Sequence, residues 1–451
     1  MPKLKRELSL FTLTLYGVGI ILGAGVYVLI GQAAGIAGNA VWLSFVIAAA
    51  VACFTGLSYA ELAGMFPKNA AEYVYTKRAF GSSALAFAVQ WTMIFTLIVS
   101  AATVALGFGG YFSNLTGISQ TSSAAGLVVL LSIVNYIGIK ESARFNVFAT
   151  LTEISGLLIV IVIGAMFFGR TSVDYFAAPA GIAGIISATT LIFFAYVGFE
   201  ELVNLAEETK NAQKTVPRAL VLSLVISTLL YILVSVSAVT VLGAEALAAS
   251  SAPLASVVAA AVPQAGVLMS LIALFATSNT VLAIMIVASR MLYGLACNNS
   301  LPAACSVVGK RGTPYASVFI VMLTALAFVF AGDIKTIALL TDVGIFLVYI
   351  FVNAAVVALR YKEPSVKRTF LSPANIGKIP VLALLGIVGS GLLLLHFETK
   401  LLLYEAAVVV AGLVLYALYT EKQKLDRHET EYARYFCKLL KHRHLLKERG
   451  T

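Results

Sequence analysis

Apolar residues run in blocks along this chain. Each block holds about 20 of them, enough to cross about 30 Å of hydrocarbon as a helix, and short polar segments separate the blocks. The pattern predicts twelve spans, over residues 10–34, 40–66, 84–113, 122–139, 145–169, 184–208, 217–243, 265–297, 314–331, 336–360, 379–397 and 401–420. A membrane barrel would show short segments of alternating polarity instead. The expected class is therefore an all-α integral membrane protein, ending in a charged tail (421–451) that is helical in part.

Two blocks depart from a plain apolar helix. The first contains "GVGIILGAGVYVLIG" (17–31), in which five of fifteen residues are glycine, a poor helix former. The sixth reads "TTLIFFAYVGFEELVNLAEE" (189–208), where Val197, Gly198 and Phe199 precede two carboxylates, Glu200 and Glu201. Both interruptions fall near the middle of their spans. If spans 1–5 (in residues 1–169) and spans 6–10 (170–360) are two repeats, the interruptions occupy matching places. An odd number of spans per repeat makes the repeats inverted in the membrane, the pointer to a transporter site built from discontinuous helices. Residues 361–420 hold spans 11 and 12 outside the repeats.

Composition agrees with the pattern. The chain is 60% hydrophobic and 12% charged, against about 45–50% and about 25% in soluble domains, and its mean hydropathy is +0.95. The net charge of +10 would suggest nucleic acid in a soluble protein, but here it is topological. With the N-terminus inside, only Arg170, Lys335 and Lys400 of the 31 lysines and arginines fall on the outer side. That bias predicts both termini in the cytoplasm. The opening "MPKLKR" leads into an apolar run without a small-residue cleavage site, so the first span reads as retained. Cys53, Cys297, Cys305 and Cys437 lack metal-ligand spacing and the four histidines are scattered, so no metal or cofactor is expected.

An interrupted helix frees backbone groups that lipid cannot satisfy. N–H groups near Gly25 and Val26, at the positive end of a half-helix, suit a carboxylate. Free carbonyls near Ile20 to Gly23 and near Phe194 to Val197 suit an ammonium or a metal ion. A ligand with both charged groups on one carbon is an α-amino acid, and glycine lets it approach the backbone. The alternative is that these glycines serve helix packing alone.

Five stretches resemble the amino acid–polyamine–organocation transporter superfamily, and together they reach over nearly the whole chain. They are "GVGIILGAGVYVLIG" (17–31), closest in kind to the cationic amino acid transporters, "LSYAELAGMFPKNAAEYVYTKRAFG" (57–81), "FFAYVGFEELVNLAEETKNAQKTVPRAL" (193–220), "ASRMLYGLACNNSLP" (288–302) with "RGTPYAS" (311–317), and "LVYIFVNAAVVALRYKEP" (347–364). The resemblance implies the five-plus-five inverted repeat of the bacterial leucine transporter, with helices 1 and 6 discontinuous. It implies that Gly23, Ala24 and Gly25 hold the substrate's α-carboxylate and amine, with Val197, Gly198 and Phe199 opposite. Phe194 matches an aromatic position that caps the substrate, although a phenylalanine there also fits lipid contact or core packing.

Ionisable groups inside spans are functional candidates. Glu153 lies about 6 Å to the cytoplasmic side of the centre of span 5, at 1.5 Å per residue. Some proton-coupled relatives carry a lysine there, so their coupling mechanism does not transfer. Glu153 is a proton carrier, a cation ligand, or a structural group paired with a hydroxyl such as Thr277 or Ser278 of span 8. Glu200 and Glu201 differ by about 100° around a helix, and Glu200, just past the interruption, is the better candidate to face the site. Glu61 reads as structural, paired with basic loop residues. Asp342 lies about 9 Å outward from the centre of span 10 and suits an outer gate. The run "AEETKNAQKTVPRA" (206–219) reads as a loop helix, with Pro217 starting span 7. The tail carries nine basic residues beside Tyr432, Tyr435, Phe436 and Leu439, and either lies on anionic lipid or is solvated.

These features predict a secondary amino acid transporter of the plasma membrane, coupled to protons or exchanging substrates. No P-loop is present to couple ATP. No histidine cluster or nucleophile–base pair marks an enzyme, and no repeated filter motif marks a channel. The first span leans toward cationic amino acids and the eighth toward broader permeases, so neutral substrates stay open, as does a non-transporting sensor or partner of the same fold.

Overall fold

A computed structural model describes residues 8–23, 25–67, 71–137, 143–206, 209–297, 300–309 and 313–420. Ala24 and the basic tail, two of the sequence expectations, lie outside these residues. The described chain is almost entirely helical: α1 (Leu10–Leu22), α2 (Gly25–Ala37), α3 (Val41–Met65), α4 (Ala71–Phe80), α5 (Ser83–Thr116), α6 (Gln120–Ile137), α7 (Ala143–Phe167), α8 (Gly181–Ile192), α9 (Glu201–Asn204), α10 (Ala212–Ala249), α11 (Pro253–Ala261), α12 (Ala265–Cys297), α13 (Tyr315–Ala331), α14 (Ile334–Lys362), α15 (Val381–Leu394) and α16 (Thr399–Thr420). Among the described residues, nine helical stretches are long and apolar enough to cross a membrane, and α13 and α15 are shorter apolar helices.

Local sequence explains where these helices begin and end. The side chains of Ser9 and Ser82 accept the N–H groups of Thr12 and Leu85, capping α1 and α5. Asp333 does the same for α14, accepting from Lys335 and Thr336. Gly117, at φ 78°, closes α5 in the left-handed conformation.

Three expectations change. Within the run 206–219, residues 212–219 do not form a separate loop helix: α10 starts at Ala212 and continues through Pro217. A proline inside a helix leaves the carbonyl four residues earlier without its donor. That carbonyl belongs to Gln213, and the Thr369 hydroxyl fills the place at 2.6 Å. Second, α4 and α11 are helices that the search for long apolar blocks passes over. Third, α10 is kinked at Gly243, whose φ of 75° and ψ of 162° are not helical.

The α1–α2 pair sits at the centre. α10 packs on α1, α2, α3 and α7, α12 packs on α5, and α14 packs on α5, α3, α4 and α15. Four glycines let α1 and α2 meet their neighbours at backbone distance. A Cβ on Gly17 would stand 2.4 Å from Ser223 Oγ of α10, and one on Gly19 would stand 2.1 Å from Thr150 Oγ1 of α7. Gly23 would meet Thr280 Oγ1 of α12 at 2.0 Å, and Gly25 would meet Ala195 Cα at 2.1 Å.

The segment after α14 closes one end of the bundle. Glu61 of α3 is buried there. Arg360 grips it bidentately, with Nε to Oε1 at 2.9 Å and Nη2 to Oε2 at 2.6 Å. Arg368 Nε lies 3.3 Å from Oε1, and the Ser372 N–H donates to Oε2 at 3.0 Å. Glu61 is thus paired with basic residues as its place in "YAEL" led one to expect.

Candidate functional site

Two helix interruptions face each other in the core. α1 ends at Leu22, the Gly23 N–H still bonds Gly19 O at 2.9 Å, and helix resumes at Gly25. In the other, α8 passes into a 3-10 turn at Phe193–Tyr196. Val197 is then extended (φ −62°, ψ 136°), Gly198 takes φ 119°, and helix resumes at Glu201. That φ favours glycine, so this interruption is written into the sequence at residue 198.

The interruptions touch at Gly25 and Ala195, and Tyr231 of α10 clasps them together. Its buried hydroxyl lies within hydrogen-bond distance of Ile21 O in the first and of Ala195 O, at 2.8 Å, in the second. The carbonyls expected to be free for a ligand are therefore partly engaged: Ile21 and Ala195 face Tyr231. The N–H groups at the start of α2 have no intrahelical acceptor, as at any helix start.

A narrow cavity of about 40 Å³ runs beside these interruptions. Gly19, Ile20, Ile21 and Gly25 form one wall, and Phe194, Val197, Gly198 and Glu201 form the facing one. α5 contributes Leu97, Ser100 and Val104, and α12 contributes Asn279, Thr280, Ala283, Ile284 and Val287. The lining is mainly apolar, with Tyr16, Ser100, Asn279 and Thr280 as neutral polar residues and Glu201 as the acidic one among the described residues.

Of the residues singled out from sequence, Gly25, Phe194, Val197 and Gly198 line this cavity. Gly23 packs against Thr280 instead. Phe199 is buried away from it, its ring 5.8 Å from that of Tyr59 and 5.4 Å from that of Tyr349. The two adjacent glutamates exchange their expected roles. Glu201 reaches the cavity, while Glu200 turns into the protein. Both Glu200 oxygens accept the Gly198 N–H, at 3.1 and 3.0 Å, and Oε2 also accepts the Tyr349 hydroxyl at 2.9 Å. The 100° step of a continuous helix does not apply, because Glu200 lies in the turn before α9 begins.

Glu153 is fully buried on α7, and neither carboxylate oxygen has a hydrogen-bond partner. The hydroxyl pairing expected from span 8 is not made. Thr277 and Ser278 donate to carbonyls of their own helix, at Ala273 (2.7 Å) and Leu274 (2.6 Å). The neighbour on α12 is Asn279. Its Oδ1, like Thr150 Oγ1, is buried and without a partner. Unsatisfied oxygens of α7 and α12 thus gather beside α1, an arrangement suited to holding a proton or a small cation. Asp342 is buried on α14 behind the cavity wall, with the Phe194 backbone N–H as the donor nearest its carboxylate. Among the described residues, no group of three or more His, Cys, Asp or Glu side chains is placed to hold a metal.

Sequence reading missed Tyr231, Glu201 and the α5 wall. Asn279 and Thr280 had a visible signal, a polar run of four residues (277–280) inside an apolar span. Tyr231 had none, because its partners lie 210 and 36 residues away.

A family model described as amino acid permease matches residues 8–413. The chain belongs to the amino acid permease family. This permease is 30% identical over 443 residues to the branched-chain amino acid permease BcaP of Bacillus subtilis (strain 168), across 93% of this chain and 94% of that one. It is 26% identical to the methylthioribose transporter of the same organism, across 94% and 95% of the two chains. It is also 29% identical to the vacuolar cationic amino acid transporter 4 of Arabidopsis thaliana, across 80% of this permease and 64% of that chain. The protein is accordingly a multi-pass membrane transporter and not an enzyme, as the resemblance in its five stretches implied.

Proposed function

We propose that this permease moves α-amino acids with aliphatic side chains across the plasma membrane by alternating access. The observation that carries this reading is the cavity between the two interruptions, where Leu97, Val104, Ala283, Ile284 and Val287 surround the space beside Gly25 and Gly198. The substrate carboxylate accepts N–H groups at the start of α2, where the helix dipole adds a positive field. The ammonium group faces carbonyls of the second interruption that Tyr231 does not engage. The side chain lies against the aliphatic wall, and Phe194 covers it. The framework is twelve spans in a five-plus-five inverted repeat, with both termini in the cytoplasm and the paired interruptions at corresponding places.

One observation favours a second reading. Glu201 lines the cavity, and a carboxylate there suits the cationic side chains that the first span resembles. Uptake of labelled leucine into proteoliposomes, in competition with each of the twenty amino acids, separates the two. Competition by valine and isoleucine but not by arginine or lysine supports the aliphatic reading, and the reverse pattern overturns it.

Glu153 couples transport to protons in this scheme. A proton shifts a conformational equilibrium only through different affinity for the two states. The buried Glu153, beside Asn279 of α12 and bonded through its carbonyl to the Tyr27 hydroxyl of α2, is placed to feel such a change. Glu153→Gln keeps the shape and fixes the neutral form. It is expected to bind substrate, to retain counterflow exchange, and to lose both the pH dependence of binding and accumulation against a gradient. Identical pH profiles for the two proteins between about pH 5 and 8, where buried carboxylates can titrate, remove Glu153 from the coupling step.

A further inference from the structure

Away from the cavity, a second set of buried polar groups joins Glu200 to the short helix α4. Glu72 of α4 is completely buried. Its Oε1 accepts the Tyr59 hydroxyl at 3.1 Å, and its Oε2 has no partner. The hydroxyls of Tyr75 and Thr76, on the same helix, are also buried without partners. The Tyr59 ring stands edge-on to that of Tyr349, with centroids 6.0 Å apart. Tyr349 in turn donates to Glu200 Oε2, and Glu200 holds the Gly198 N–H of the second interruption. Two buried carboxylates are therefore each bonded by a tyrosine, and the two tyrosines are in contact. Burial pushes the Glu72 carboxyl above its usual range, against the lowering effect of hydrogen bonds from its own backbone and from Tyr59.

A network that serves only to fasten α3, α4 and α14 would have its polar atoms satisfied, because an unpaired buried group costs about 1–3 kcal/mol. Here Glu72 Oε2, Tyr75 Oη and Thr76 Oγ1 are left over on α4. The charged groups around them are otherwise engaged or solvent-facing. Lys77 and Arg78 lie on the exposed side of α4, and Arg78 pairs with Glu363 at 3.7 Å. Lys362 of α14 bonds Ala79 O, and Arg360 and Arg368 grip Glu61. From α5, Gln90 Oε1 accepts the Tyr73 N–H. Beyond Tyr349, Glu200 has Glu201 beside it in sequence and Asp342 on α14 nearby.

We propose that Glu200, Tyr349, Tyr59 and Glu72 form a proton relay between the second helix interruption and the buried first turn of α4. Protonated Glu200 gives its proton to the Tyr349 oxygen while Tyr349 releases its hydroxyl proton toward Tyr59. Tyr59 takes that proton and passes its own to Glu72. Each phenol gains one proton and loses one, so the net change is one proton moved from Glu200 to Glu72. Rotation of the two hydroxyls, or one water between them, closes the step from phenol to phenol. The relay moves a proton from the second interruption to the first turn of α4 without passing through the substrate cavity.

The relay rests on the proposed proton coupling, so the test keeps the two apart. Wild type, Glu72→Gln and Tyr59→Phe are reconstituted with a pH-sensitive dye in the vesicle lumen. Leucine-driven proton movement and counterflow of labelled leucine are then read on the same vesicles, with melting temperatures as a folding control. The expected result is proton movement in wild type, its loss in both variants, and counterflow retained in all three. Wild-type proton movement in either variant overturns the relay. So does loss of counterflow in well-folded variants, which assigns these residues to gating. If Glu72→Gln does not fold, Tyr59→Phe decides alone, since it removes one hydroxyl and keeps the ring. Wild type that carries substrate without protons removes the coupling and the relay together. Wild type that carries no substrate removes the transport reading itself.

Discussion

Gly198 is where the second interruption is most exposed to a single-atom test. At φ 119° its backbone lies where residues with a Cβ rarely go, and the added Cβ of Gly198→Ala would stand 2.3 Å from Ile20 Cγ2. The two effects differ in size. The Ile20 atom is the end of a side chain and can shift. The backbone conformation cannot relax without reshaping the turn, and holding alanine there costs about 1–3 kcal/mol. If that strain is released by moving Val197 and Gly198 away from α1, substrate affinity falls by about 5- to 150-fold. Equilibrium binding and thermal unfolding of purified Gly198→Ala measure both consequences. Repeating the substitution in an Ile20→Ala background separates the two effects, since it removes the close contact and leaves the φ. Little rescue is expected. Full rescue would put the whole effect on the Ile20 contact. Binding and melting of Gly198→Ala equal to wild type would refute the assigned role of the interruption.

Phe194→Ala is expected to reduce uptake more than Phe194→Trp, because only a large ring covers the cavity beside Gly25; equal initial rates would make Phe194 a packing residue. Arg360→Met leaves the buried Glu61 carboxylate with Arg368 as its one remaining cation and is expected to destabilise the protein by about 3–5 kcal/mol. Adding Glu61→Gln should recover part of that loss, and no change in melting temperature for the single variant would contradict the pairing. Asp333→Ala removes the cap of α14 and should cost about 0.5–2 kcal/mol. Hydrogen bonds from Thr336 and Lys335 outweigh partial burial and hold the Asp333 carboxyl below its ordinary 3.8. Its contribution is therefore complete above that value and is lost as pH falls through the lower folded value. A wild-type–minus–variant difference in melting temperature that instead grows on acidification would reverse this sign.

The long helices were legible because lipid imposes one solution, an unbroken run of apolar residues, and α5, α12, α14 and α16 start and stop within a few residues of the expected limits. The interruptions were legible because Gly23, Gly25 and Gly198 stand where a span has no need of glycine. Short elements were not: α4 carries Glu72, Lys77 and Arg78, and its amphipathic stretch disappears in a search for apolar blocks. Side-chain direction failed where the helix itself failed. The prediction that Glu200 faces the site projected a regular helix through Val197, whose ψ of 136° is extended, and the turn hands the cavity position to Glu201. The partner of Glu153 was misread by one or two residues for a related reason. A polar run gives no means to decide which hydroxyl bends back to its own helix and which side chain reaches across.

Packing explains the glycines of the first span one at a time. Gly17, Gly19, Gly23 and Gly25 each admit a different neighbour where a Cβ would collide, and a protein with no ligand would need them as much. Packing does not explain why the helix stops. A continuous helix from Leu10 to Ala37 would bond its own carbonyls, and Ile21 O would not require a buried tyrosine. In a hydrocarbon core an unsatisfied backbone group costs several kcal/mol, so an interruption persists only where something else meets the freed groups. Tyr231 meets two of the acceptors. Gly25, at the start of α2, lies at the edge of the cavity, where the proposed function puts the substrate carboxylate. The two ends of the interruption thus differ: Tyr231 engages the Ile21 carbonyl, while Gly25, where α2 begins, lines the cavity.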